Sequence, residues 1–130
     1  MASVLKVDTL TGVTTAGSIA VTGEGNSTTT NLQQGLAKAW LYGTTTAGTT
    51  DSFNVGGGTD HGTGDYSYSF TNAMVNDDYS QSGMASSTDQ RRNLTQNGAR
   101  YAASTIAVEL SDAGTNDDTN HCVTIHGELA

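Results

Sequence analysis

Asp65-Tyr66-Ser67-Tyr68-Ser69-Phe70 is the segment whose reading decides the fold. Aromatic residues fall at every second position and small polar residues fill the gaps, which is the period of a strand with one face in a core. A helix would scatter the same three rings around its circumference. Upstream, Ser52-Phe53-Asn54-Val55 alternates in the same way, and the turn formers Gly56-Gly57-Gly58, Asp60, Gly62 and Gly64 lie between the two. A hairpin pairing residues 52–55 with 65–71 is therefore predicted.

The alternation continues on both sides. Trp40-Leu41-Tyr42 runs into Gly43 and a Thr-rich loop to Thr50. Downstream, 78–84 reads as a weaker strand, 86–99 as a polar loop, 101–110 as a strand, Asp112 to Asn120 as a turn and 121–129 as the last strand. About six strands with no helix between them predict a mainly β fold, an antiparallel sandwich or meander. Ahead of it, Val4 to Asp8 and Ser18 to Thr22 form two short strand-like runs. Leu32, Leu36 and Trp40 recur at i, i+4 and i+8 behind the capping candidates Thr30 and Asn31, so one short helix is expected near 31–40. Gly35 weakens it, and a helix of two to three turns needs a packing partner. The predicted division is an N-terminal region, 1–43, that serves to join identical copies, and a β-rich lobe, 44–130.

Composition narrows the function. The 130 residues carry 14% charged side chains, against about 25% in ordinary soluble domains, and no Pro. Threonine favours strands while Gly, Asn and Asp favour turns. Large apolar groups are few, so burial between identical copies is an expected source of stability. The net charge of −8, with five Lys and Arg, argues against nucleic acid and anionic membrane surfaces as partners. No stretch is apolar enough to insert in a membrane, and the first ten residues lack the apolar run of a secretory signal, so cytosolic synthesis is expected. Cys122, the single cysteine, reads as a small buried hydrophobe on a strand.

Chemical motifs are sparse. His121 and His126 differ by an odd number of positions, which puts them on opposite faces of one strand, and His61 is remote in sequence. Asp112, Asp117 and Asp118 lack the alternate acids, central Gly and terminal Glu of a calcium loop. There is no nucleophile elbow, no metalloprotease helix and no phosphate loop followed by Lys; the adjacent acids Asp77 and Asp78 read as turn residues. No catalytic residue, metal or cofactor is expected. For binding, Trp40, Tyr42, Tyr66, Tyr68, Tyr79 and Tyr101 could stack on sugars, but strand aromatics mostly fill cores. Loops carry function more often, and the loop 86–98 holds two of the five cations. Arg91 and Arg92, with Asn93 and Gln96, are the candidate receptor contacts, suited to an anionic glycan.

The string Gly17-Ser18-Ile19-Ala20-Val21-Thr22-Gly23-Glu24-Gly25-Asn26-Ser27-Thr28-Thr29-Thr30-Asn31-Leu32-Gln33-Gln34-Gly35-Leu36-Ala37-Lys38-Ala39-Trp40 resembles a segment of tail-fibre-like proteins of marine bacteriophages, those of cyanobacteria and other ocean bacteria. Asp51 to Val55, Gly62 to Tyr66 and Phe70 to Met74 resemble the strands that follow it there, so the likeness spans roughly residues 3–84. It implies a homotrimer held to the virion at one end and recognising the host surface at the other. Leu5, Val7, Ile19, Val21, Leu32, Leu36 and Trp40 are then expected to pack around the trimer axis. Its expected partners are other virion proteins and a host surface glycan or protein. A capsid decoration or head-fibre protein is the second expectation, and a carbohydrate-binding or lytic module a distant third.

Overall fold

A computed structural model describes residues 4–13, 19–22, 29–86, 93–112, 115–116 and 119–130. Its strands are β1 (Ala20–Thr22), β2 (Thr29–Asn31), β3 (Ala39–Gly43), β4 (Thr49–Phe53), β5 (Val55–Gly62), β6 (Asp65–Phe70), β7 (Ser80–Ala85), β8 (Asn93–Thr95), β9 (Thr105–Asp112), β10 (Thr115–Asn116) and β11 (His121–His126). A single turn of helix, α1 (Leu32–Gly35), follows β2. The fold is mainly β, and every strand pair is antiparallel.

The chain forms two compact units, Met1–Leu36 and Ala37–Ala130. In the first, β1 and β2 pair as a small ladder, and the Leu32 amide donates to the Ile19 carbonyl at 2.8 Å. Leu5, Val7, Val21 and Leu36 are exposed there, and Ile19 and Leu32 are half-buried. The boundary falls after Leu36, not after Gly43, because β3 is paired to β4 and β11 in the second unit.

That pairing corrects the expected helix over 31–40. It stops at Gly35, whose helical cost is about 1 kcal/mol relative to Ala. Beyond it, Ala39, Leu41 and Gly43 turn inward while Trp40 and Tyr42 turn outward. Trp40 therefore sits on a strand and not on a stripe with Leu32 and Leu36. One turn of helix has little stability of its own, and the period-two pattern with a buried face prevails.

The second unit is built from two sheets. One has the order β4-β3-β11-β7; the other runs β10-β9-β6-β5, with β8 also on β9. Their inward residues make one core: Leu41, Val123 and Ile125 from the first, Tyr66, Tyr68, Phe70, Ile106, Val108 and Leu110 from the second. Burying each aliphatic residue contributes about 1.5–3 kcal/mol relative to leaving it exposed. The tyrosines suit this core because their hydroxyls find acceptors: Tyr66 reaches Thr45 O at 3.2 Å, and Tyr79 reaches Thr105 O at 2.6 Å.

The predicted hairpin is borne out only in part. Of residues 52–55, Val55 pairs with β6, opposite Phe70, and the rest of the pairing comes from the glycine run, which was expected as a link and is itself part of β5. Gly58 explains the composition: a Cβ there would meet the Ala47 carbonyl and lie 2.8 Å from the Tyr68 ring. Close approach over a buried ring requires glycine at that point. Ser52 and Phe53 belong to β4 in the other sheet, and Asn54 makes the crossing between sheets with φ +57°.

Candidate functional site

The four-stranded sheet has an inner face in the core and an outer face toward solvent. Pairing fixes which residues meet on the outside. Tyr42 lies opposite Asp51 on one side and Cys122 on the other, and Cys122 lies opposite Met84. One register step on, Trp40 lies opposite Phe53 and Thr124, and Thr124 opposite Ser82. The two rows read Asp51-Tyr42-Cys122-Met84 and Phe53-Trp40-Thr124-Ser82. Trp40 is 38% exposed, Tyr42 43%, Phe53 51% and Met84 73%. Pairing thus gathers three exposed aromatic side chains on the solvent side of one sheet.

Cys122 corrects its sequence reading. It is exposed, because the β11 residues that enter the core are His121, Val123 and Ile125. At the end of the first row, Tyr42, Met84, Ser86, Asn120 and Cys122 rim a hollow of about 190 Å³. Ligand pockets that enclose a small molecule are larger, about 300–1,000 Å³. The face is thus open to solvent, with a shallow recess at one end.

Beneath it, His121 is fully buried. Its Nε2 lies 2.8 Å from the Tyr68 hydroxyl, its Nδ1 lies 3.2 Å from Thr119 O, and its ring stacks on Tyr66 at 5.2 Å. Burial pushes the His121 pKa down, against a smaller upward pull from the Thr119 carbonyl. Burial likewise raises the Tyr68 hydroxyl above its ordinary value, with the Asp60 charge adding to the effect. Both groups are neutral at physiological pH and serve the core.

The other candidates scatter. Arg91 and Arg92 lie outside the described residues; Asn93 opens β8 and Gln96 is exposed. His126 falls on the face of β11 opposite His121. His61 Nε2 lies 2.8 Å from the Ser67 hydroxyl, across the β5–β6 ladder. A serine–histidine pair alone lacks the oxyanion donors and cleft that acyl transfer requires. Among the described residues no group of three or more His, Cys, Asp or Glu could hold a metal ion, and no helix is long and apolar enough to cross a membrane. Tyr66, Tyr68, Tyr79 and Tyr101 are core or partly buried, leaving Trp40 and Tyr42 as the predicted stacking residues that face solvent.

Phe53 was legible only as a strand residue. Its place beside Trp40 depends on β4 pairing with β3, a register set by the turn in which the Thr44 amide donates to Gly48 O at 2.9 Å. No protein-family model matches the chain, and comparison with curated proteins and with solved structures gives no match.

Proposed function

We propose that the chain is a bacteriophage virion structural protein, a homotrimeric tail fibre or receptor-binding domain that contacts the host surface. In this reading it is architecture and not an enzyme, needs no cofactor, and works on the virion after synthesis in the host cytoplasm. The observation that carries it is the exposure of large apolar side chains in the first unit: Leu5 is 80% and Leu36 54% exposed, and Val7 and Val21 are exposed as well. Among the described residues of that unit no side chain is buried in a core, whereas identical copies around an axis would cover the exposed groups. The likeness of residues 17–40 to tail-fibre-like proteins supports the same assignment.

Sedimentation tests it. The expected mass is three times 13.4 kDa. Leu36→Asp is expected to dissociate the assembly, because a carboxylate would be desolvated at the axis. A protein that sediments as one chain at every concentration overturns the trimer. Antibody-labelled imaging of particles then separates tail from capsid, where the same chemistry would serve a decoration or head-fibre protein.

A further inference from the structure

We propose that the outer face of the four-stranded sheet is a stacking platform for a neutral oligosaccharide, with Trp40, Tyr42 and Phe53 as its ring contacts and Asp51 as its hydroxyl acceptor. The proposal specifies the host-surface contact of the reading above and rests on that reading.

Geometry is the first support. Trp40 and Tyr42 are two residues apart on β3, about 7 Å along the strand, and Phe53 stands directly across from Trp40, with Cβ atoms about 5 Å apart. Among the described residues none of these rings packs on another ring, so their exposed surfaces remain available. The faces of aromatic rings are electron-rich and attract the weakly positive C–H groups on the face of a pyranose.

Area decides between occupants. Three inter-strand gaps of about 4.8 Å and four residue steps of about 3.4 Å make a face roughly 14 Å on a side. A stable protein partner, including a second copy, needs about 800 Å² per side. A face of roughly 200 Å² in projection falls well short of that, and a saccharide of a few units fits it.

Charge decides the class of saccharide. The eight side chains of the two rows include one carboxylate, Asp51, and no Lys or Arg, on a chain of net charge −8. An anionic polymer would be repelled here. One Asp51 oxygen accepts the Ser52 amide at 2.8 Å; the carboxylate's second oxygen would be the acceptor for a ligand's hydroxyl. The hollow beside Met84 and Cys122 is sized for a ring substituent, not for a whole ligand.

Trp40 is the single tryptophan, so intrinsic fluorescence reports directly on the face. The full chain is titrated with neutral tetra- to hexasaccharides of glucose, mannose or N-acetylglucosamine. The expected result is a saturable change in emission with at least one of them. Tyr42→Ala and Phe53→Ala are each expected to weaken it tenfold or more, with unchanged urea midpoints, and bound saccharide to slow maleimide labelling of Cys122. No saturable response to any neutral saccharide overturns the platform, as does tighter binding of sulfated saccharides. A loss of oligomer mass in the two variants also overturns it, since the face would then join copies. Imaging on particles keeps the failures apart. Absence from particles removes the virion reading alone, while a flat titration of protein that does decorate particles removes the platform alone.

Discussion

The hydroxyl of Tyr68 lies 2.8 Å from Nε2 of His121, bridging the two sheets at a point where neither residue reaches solvent. The network assigns the tautomer: Nδ1–H donates to the Thr119 carbonyl, and Nε2 accepts from Tyr68. A second proton would have to enter Nε2, reverse the Tyr68 bond and place a charge among apolar residues.

That sets the pH dependence of stability. Burial pushes His121 below its ordinary value of 6.5 in the folded state. Above about 6.5 both states are neutral there and stability is flat. Below it the unfolded chain takes a proton that the folded chain resists, so stability falls by up to about 1.4 kcal/mol per pH unit. The fall levels once the folded value is passed. Urea unfolding between pH 7.5 and 4.5 should show this slope, and His121→Gln should be less stable at pH 7.5 yet flatter below 6.5. Equal slopes in the two proteins would contradict the assignment.

Gly43→Ala should damage the same junction. An added Cβ would meet Nε2 of His121 and lie 2.5 Å from the Tyr68 hydroxyl. Overpacking a filled core costs about 1–3 kcal/mol. Gly57→Ala is the control, since nothing lies within 4 Å of its new methyl. Thermal melts of the two variants should differ by several degrees, Gly43→Ala melting lower.

Asn54 holds the crossing between the sheets. Its Nδ2 donates to the carbonyls of Lys38 and Asn72, both at 3.0 Å, and its Oδ1 accepts the Asn72 amide at 2.7 Å. Asn tolerates the left-handed φ of +57° better than most residues do. Asn54→Ala loses the bonds and adds strain, about 2–3 kcal/mol in denaturant titration. Asn54→Gly loses the bonds without the strain and should cost less; the reverse order would refute this account.

Arg100 donates to Asp65 at 2.7 Å, and Asn97 donates to the same carboxylate at 3.3 Å, which ties the segment before β9 to the start of β6. The Arg100 side chain is a third exposed, so solvent screens the pair. Arg100→Gln should cost no more than about 1 kcal/mol, and the difference should shrink as salt is added. A large, salt-independent loss in chemical denaturation would show that the pair acts as buried.

The mainly β character was readable because Tyr66, Tyr68 and Phe70 repeat at the strand period and all three enter the core. The helix over 31–40 misled because Leu32, Leu36 and Trp40 also fit a helical spacing, and spacing alone cannot weigh two periods that share a residue. Half of the proposed platform was within reach: Trp40 and Tyr42 are two apart and so share a strand face. Phe53, Cys122 and Met84 were not, since each joins them only through pairing between distant segments.

Sequence by itself determined that this chain would be built of strands, because side-chain alternation is a local property and local sterics make it a strand. Only the tertiary structure decided which face of each strand met the other sheet and which was left to water. That choice is made by register between segments far apart in the chain, and a single-residue slip would exchange Trp40 for Leu41.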